Sequence, residues 1–82
     1  MIIKLTKHAK MRLEDRGLTF ERIEEVIKNY DFLEEDKIDP LITHYIKKID
    51  KKFLRVIAKK EDKETLLVIS AFYDRRLKRM EE

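Results

Sequence analysis

The sequence contains no cysteine and no tryptophan, and it has only one glycine and one proline among 82 residues. The absence of cysteine excludes disulfides and cysteine-based metal sites, and the two histidines, His8 and His44, lack a metal-ligand spacing. A chain of this length buries only about 60–65% of the surface that its unfolded form exposes. It therefore needs a compact apolar core, with or without help from a partner. The sequence indicates no cofactor.

Long apolar runs are also missing. No run approaches the roughly 20 residues needed to cross a bilayer. The segment Met1–Lys7 is too short and too charged for a signal peptide. We therefore expect a cytoplasmic protein without a membrane partner. No internal repeat, low-complexity tract or linker appears, which predicts a single domain over residues 1–82.

Charged residues, by contrast, are abundant. They make up 45% of the chain, against 43% apolar residues. Many lysines and glutamates with few loop breakers are typical of proteins from thermophiles. The net charge is +3 and the isoelectric point is about 9.2. This modest positive excess fits an acidic partner, either a nucleic acid or an acidic protein, and does not choose between them.

The first part of the chain predicts a short strand followed by two helices. Ile2–Leu5 alternates weakly and predicts the strand. A first helix is expected from about Lys7 to Arg16 and should end at Gly17, where a left-handed residue is favoured. A second helix, from about Phe20 to Asn29, has its apolar residues in one stripe at helical spacing. A threonine precedes each helix and can cap it.

After the second helix the pattern changes to that of strands. Runs rich in β-branched and aromatic residues predict strands, which are Phe32–Glu35, Leu41–Ile49, Lys52–Lys60 and Thr65–Tyr73. Asp74 starts a last charged segment, in which Arg75 to Glu82 predicts a short C-terminal helix. The fold class is therefore α+β, with two N-terminal helices packed on one face of an antiparallel sheet of about four strands.

Tight turns between the last three strands fix a register. Val56 would lie opposite Ile69 on an apolar face that packs on the helices. Arg55 would lie opposite Ser70, at the centre of a mixed second face. The members of that second face would be His44, Ile46, Lys48, Phe53, Arg55, Ile57, Val68, Ser70 and Phe72.

Arg55 is the most suggestive single position, because it interrupts an apolar run in mid-strand. A guanidinium there could clamp a phosphate with two parallel hydrogen bonds. The alternative is that Arg55 pairs with a carboxylate of the C-terminal segment or simply lies exposed.

The first helix offers further candidates. Arg12 and Arg16 fall on the side of its apolar stripe, where they either line a cleft or pair with acids. His8, one turn before Arg12, could act as a general acid or base, although a histidine near a helix start is more often a cap or a packing residue. Tyr73 with the basic residues after it suits RNA, whose bases stack on rings, although such a segment is more often a solvated face.

No other catalytic pattern is present. The sequence has no glycine-rich phosphate loop, no Ser-His-Asp arrangement and no metal cluster. An enzyme of this composition must therefore work with basic side chains, histidine and tyrosine. Cleavage of RNA by its own 2′-OH is such a reaction, because it needs a base, an acid and positive groups but no metal.

The run from His8 to Thr19 resembles the "His-Ala-x-x-Arg-Met-x-x-Arg-Gly-Ile-Ser" opening of a widespread family of small prokaryotic domains without known function. That family is similar in outline to RelE/ParE-type toxins and to BrnT-like toxins. Arg16–Glu21 resembles the BrnT stretch "His-Gly-Val-Ser-Phe-Glu-Glu", and Val68–Ala71 resembles its late "Ile-Ile-Ser-Ala-Arg" strand. Phe72 stands here where that strand has arginine.

The resemblance implies a RelE-like fold and a toxin of a toxin–antitoxin system that cleaves RNA without a metal. Its partners would be RNA, free or on the ribosome, and a small acidic antitoxin protein. The implied catalytic residues are His8, Arg55 and Tyr73. Arg12, Arg16 and Arg75 are implied as further site residues. The predicted RNA-binding residues are therefore Arg12, Arg16, Lys48, Arg75 and Arg76, of which Lys48 comes from the mixed face and Arg76 from the basic C-terminal segment. Two alternatives stay open: a module that binds nucleic acid or protein without catalysis, and an interaction protein that forms a homodimer through the mixed face.

Overall fold

The computed structural model describes residues 1–75 and shows, within them, two helices on one face of a five-stranded mixed sheet. The strands, in chain order, are β1 (Ile2–Leu5), β2 (Phe32–Glu35), β3 (Ile42–Ile49), β4 (Lys52–Lys60) and β5 (Thr65–Tyr73), and the helices are α1 (Lys7–Asp15) and α2 (Phe20–Lys28). Across the sheet the order is β1-β5-β4-β3-β2. The α+β class and the two helices are as predicted.

The prediction of an antiparallel sheet of about four strands is wrong in both strand number and direction. β1 joins the sheet beside β5 and runs parallel to it, with Ile2 next to Thr65 and Leu5 next to Val68. The other neighbouring strands are antiparallel. The pattern of β1 predicted a strand, but four residues do not specify a distant partner or a direction. The C-terminal helix was predicted for Arg75 to Glu82, and all of this range except Arg75 lies outside the described residues.

The helix ends follow from local chemistry. The hydroxyl of Thr6 accepts the backbone N–H of Ala9 at 2.9 Å, and that of Thr19 accepts the N–H of Arg22 at 3.2 Å. Gly17 follows α1 with a φ of +67°, in the left-handed region where a Cβ is unfavourable. Both helices end one residue earlier than predicted. In the described part of the chain neither helix is long and apolar enough to span a membrane.

The core lies between the helices and one face of the sheet. The predicted stripe of α2 supplies Ile23, Val26 and Ile27, all of them buried. The remaining buried members are Ala9, Leu13, Leu54, Val56, Ala58, Val68 and Ala71. Burial of these apolar side chains is the main source of stability in so short a chain.

The register between β4 and β5 differs from the prediction. Val56 pairs with Ala71 rather than Ile69, and Arg55 pairs with Phe72 rather than Ser70. The predicted pairs were wrong by two residues. The turn between β4 and β5 is one residue longer than expected, since the N–H of Glu61 donates to the carbonyl of Thr65, and the register shifts by one more residue between Ile57 and Ala58.

The shift has a consequence for the faces of the sheet. Ile57 pairs with Ser70 but Ala58 pairs with Val68, so β5 contributes one extra residue, Ile69, at a β-bulge. The extra residue reverses the alternation of β5. Val68 is therefore buried in the core, and its predicted place on the mixed face is wrong. The sheet's second face keeps Arg55 at its centre.

Candidate functional site

A cluster of five polar side chains lies on the second face of the sheet, and we call it the sheet-face cluster. Its members come from β2, β3, β4 and the residues that follow β2 and β5, and they are Glu34, Asp36, His44, Arg55 and Asp74. Arg55 is central and only 6% exposed. Its Nε donates to Asp74 Oδ2 at 2.9 Å, its Nη1 to His44 Nδ1 at 2.7 Å and its Nη2 to Glu34 Oε2 at 3.4 Å.

These contacts determine the tautomer of His44. A guanidinium has no acceptor, so Nδ1 of His44 must accept the hydrogen bond from Arg55. A neutral ring then carries its proton on Nε2, which lies 2.9 Å from Asp36 Oδ1 and donates to it. A proton on Nδ1 would face the N–H of Arg55. The ring is therefore held in one tautomer between a carboxylate and a guanidinium.

Asp36 is held in turn by the loop that it begins. Its Oδ2 accepts the backbone N–H groups of Ile38 and Asp39 at 3.1 and 3.0 Å. The hydrogen bond from His44, followed by these two, lowers the pKa of Asp36 below its ordinary value of 3.8. Asp39 also forms an ion pair with Lys59 of β4, Oδ2 to Nζ at 3.2 Å. The loop is thereby fixed against the second face.

The sheet-face cluster forms part of the wall of a cleft of about 630 Å³. The residues that line the cleft are Glu34, Glu35, Asp36, Lys37, Ile38, His44, Arg55, Ile57, Phe72 and Asp74. With His44 neutral, four carboxylates face two cations, which leaves a net charge of −2. A polyanion entering the cleft would be repelled.

Of the two alternatives for Arg55, pairing with a carboxylate of the C-terminal segment is confirmed, since its partner is Asp74. Three of the five guanidinium N–H groups donate to protein acceptors. The partner that a phosphate would displace most easily is Glu34, whose contact is the longest and whose side chain is 48% exposed. Within residues 1–75, no group of three or more histidines and carboxylates is arranged to hold a metal ion.

Tyr73 lies on the opposite side of the sheet from Arg55. It pairs with Leu54, whose side chain is in the core, so the Tyr73 ring points toward the helix side. The residue is 37% exposed, and Lys52 Nζ lies 5.3 Å from its ring centroid. This distance is that of a cation–π contact.

Two arginines predicted to contact RNA lie beside the end of β5 and directly after it. Arg16, at the end of α1, donates from Nη1 to the carbonyl of Ala71 at 2.6 Å, two residues before Tyr73. Arg75 is exposed and, with Lys52 and Tyr73, lines a second cavity of about 400 Å³. We call this group the basic aromatic patch, and its residues are Arg16, Lys52, Tyr73 and Arg75.

The predicted catalytic set of His8, Arg55 and Tyr73 is not brought together. His8 and Arg12 are exposed on α1, where Arg12 Nε donates to His8 Nε2 at 3.3 Å. The sheet separates α1 from Arg55. Lys48, predicted to contact RNA, is exposed on β3, and Arg76 lies outside the described residues.

His44, Glu34 and Asp36 are site residues that the sequence analysis did not identify. A signal was available for His44, because it lies two residues from Ile46, which pairs with Arg55. Diagonal neighbours on one face of a sheet lie within reach of long side chains. Glu34 pairs directly with His44, but this depends on the partner of β2, which four residues do not reveal.

Residues 5–73 match the family model described as a domain of unknown function, DUF4258. No curated protein matches the chain, and no solved structure matches it. The prediction of membership in a family of domains without known function is thereby confirmed.

Proposed function

The chain belongs to the DUF4258 family of domains of unknown function, and this membership assigns no activity. From the surface chemistry of the protein we propose that it binds single-stranded RNA. The binding surface is the basic aromatic patch. The observation that carries the proposal is the exposed ring of Tyr73 with Lys52 Nζ at 5.3 Å from its centroid. Unpaired bases stack on such rings, while neighbouring cations neutralise the phosphates.

Electrostatics favour this patch over the cleft. The patch has three cations, of which Lys52 lies over the Tyr73 ring and Arg75 lines the same cavity, whereas the cleft has a net charge of −2. Asp74 also lines the cavity beside the patch, but its carboxylate is buried and bonded to Arg55. A phosphate therefore meets attraction on the helix side of the sheet and repulsion on the second face.

The finer proposal is that the bound RNA is cleaved without a metal, in the manner of the RelE- and BrnT-type toxins that the sequence resembles. Tyr73 lies where it would contact RNA, and His8 lies on the same side of the sheet, at the other end of α1. A small acidic antitoxin protein would then cover the patch, because the same cations that attract phosphates attract carboxylates.

Fluorescence anisotropy with a labelled single-stranded RNA tests the binding proposal. Replacing Tyr73 by Ala should weaken binding roughly 5- to 150-fold, since one stacked base contributes about 1–3 kcal/mol. Tyr73→Phe keeps the ring and should bind as the wild type does. Lys52→Gln should weaken binding and reduce the salt slope by about 0.7.

Lys63→Gln is the matched control, because it makes the same charge change at an exposed position in the turn before β5, far from Tyr73. Equal affinities of the wild type and Tyr73→Ala would refute the patch as the binding surface. Electrophoresis of the same RNA after incubation separates binding from cleavage, since an intact strand that is nevertheless bound excludes the toxin-type reaction.

A second candidate is acid–base cleavage of RNA in the cleft, favoured by the single tautomer of His44 beside Asp36. Here the phosphate would replace Glu34 on Arg55. Nδ1 of His44, released from Arg55, would accept the proton of the attacking 2′-OH and return it to the leaving 5′ oxygen as the P–O bond breaks. Induced expression in a bacterium tests it. The wild type should degrade RNA and stop growth, Glu34→Gln should increase the effect, and His44→Gln should abolish it. Intact RNA with the wild type contradicts this candidate.

A further inference from the structure

The edge strand β2 has an unusual combination of features. It is the last strand of the sheet on its side, and all four of its residues are exposed. Phe32 and Leu33 are 52% and 51% exposed, and they point to opposite faces. An exposed edge with apolar side chains on both faces is a template for another strand.

Within residues 1–75, the backbone of β2 has hydrogen-bonding groups along this edge that no other strand pairs with. The N–H of Asp36 donates to the carbonyl of Ile42 at 3.2 Å, which marks that pair as hydrogen-bonded. In an antiparallel ladder such pairs recur at every second residue, so Glu34 also bonds inward to β3. The N–H and C=O groups of Leu33 and Glu35 consequently point away from the sheet.

The charge around this edge identifies the complementary ligand. Between residues 31 and 37 there are four carboxylates, on Asp31, Glu34, Glu35 and Asp36, and one cation, on Lys37. The local net charge is therefore −3, although the whole chain carries +3. We propose that β2 binds an extended, basic and partly apolar segment of another protein by strand addition. Lysines or arginines of that segment would face Glu34 and Glu35, and apolar residues would face Phe32 and Leu33.

A second copy of this chain is a poorer occupant. Pairing β2 with its own copy would place the glutamates of both strands side by side, which is destabilising. Pairing β2 with the β1 edge of a copy would match Lys4 to the acids, but β1 and β2 lie at opposite ends of the sheet. Such a head-to-tail contact cannot form a closed dimer and would build a ring or an open filament instead. The inference is independent of the proposed RNA surface, which lies on α1, β4 and β5.

The probe is a synthetic extended peptide of the repeat Lys-Lys-Val-Val, because adjacent lysines can face Glu34 and Glu35 while the valines face Phe32 and Leu33 on the same two faces of β2. It is compared with its counterpart in which glutamate replaces lysine. Binding is followed by the NMR shifts and hydrogen exchange of the backbone amides at millimolar peptide. The N–H groups of Leu33 and Glu35 should shift and exchange more slowly with the basic peptide. That peptide should bind about tenfold more tightly than the acidic one at low salt, from two cross-strand charge pairs of about 0.2–1 kcal/mol each that change sign.

Leu33→Pro is the decisive variant, because it removes an outward-pointing N–H and leaves the bonds to β3 in place. It should abolish the protection of Glu35, whereas the control Leu33→Ala, which keeps the N–H, should retain it. Equal binding of the basic and acidic peptides, or undiminished binding to Leu33→Pro, would overturn the proposal. Sedimentation of the protein without peptide tests whether a second copy occupies the edge. Self-association of the wild type that Leu33→Pro removes would assign the edge to a second copy and overturn the proposal.

Discussion

Replacing one partner of the ion pair between Arg55 and Asp74 should destabilise the protein strongly, whereas replacing both partners by apolar residues should not. The side chains are 8% and 3% exposed, and Nε lies 2.9 Å from Oδ2. Arg55→Met would leave the Asp74 carboxylate buried without its guanidinium, and Asp74→Leu would leave the opposite charge. Breaking a buried pair in this way costs about 3–5 kcal/mol.

That loss is large for this chain. At about 0.05–0.15 kcal/mol per residue, an 82-residue domain has a free energy of unfolding of roughly 4–12 kcal/mol. Either single substitution therefore removes a quarter or more of it. For a domain of this size, 1 kcal/mol corresponds to about 4–8 °C, so the melting temperature should fall by about 12 °C or more.

The double variant Arg55→Met/Asp74→Leu should regain most of the stability. Replacing a buried ion pair by apolar residues of similar volume is often neutral, or stabilising by about 1–4 kcal/mol. Urea unfolding followed by circular dichroism measures all four proteins of this cycle. Glu34→Gln is the control, because its partly exposed contact to the same guanidinium should contribute no more than about 1 kcal/mol.

Two outcomes would refute this reasoning. Single variants as stable as Glu34→Gln would mean that the pair is hydrated despite its burial. A double variant that loses the sum of both singles would mean that Arg55 and Asp74 stabilise separate parts of the protein.

Two further predictions concern the loops. The pKa of Asp36 is lowered, chiefly by the hydrogen bond from His44, so its contribution to stability is complete above its ordinary value of 3.8 and is lost as the pH falls through the lower folded-state pKa. Urea midpoints measured from neutral pH to about pH 3 should consequently fall more steeply for the wild type than for Asp36→Asn, and parallel curves would contradict this assignment. Gly17→Ala should cost about 1 kcal/mol in the same assay from backbone conformation alone, because an added Cβ meets no atom within 4 Å while φ is +67°. Full stability of that variant would show that the turn can change its conformation.

The predictions from sequence succeeded where the determining chemistry is local. The caps at Thr6 and Thr19, the stop at Gly17 and the stripe of α2 depend on residues within one or two turns of each other. The parallel pairing of β1 failed because its partner, β5, lies about 60 residues away.

The candidate site was predictable only in part for the same reason. Arg55 is conspicuous in its strand, and its pairing with a C-terminal carboxylate was one of the alternatives considered. The β-bulge at Ile69 carries no sequence signal, since β5 contains no glycine or proline, and this single insertion decides that Val68 faces the core. Asp36 reaches His44 only because its loop folds back over the second face.

The double variant Arg55→Met/Asp74→Leu also separates the two locations proposed for RNA. Its substitutions cancel in charge and leave Arg16, Lys52 and Tyr73 in place, so binding at the basic aromatic patch should stay within about threefold of the wild type. Binding in the cleft would instead lose the buried guanidinium of Arg55, the group that must receive the phosphate once Glu34 is displaced. A charge-assisted contact of that kind contributes about 1.5–3 kcal/mol, so the affinity would fall by roughly 10- to 150-fold. Because the double variant is expected to be folded, a loss of this size would locate the RNA on the second face of the sheet and refute the patch.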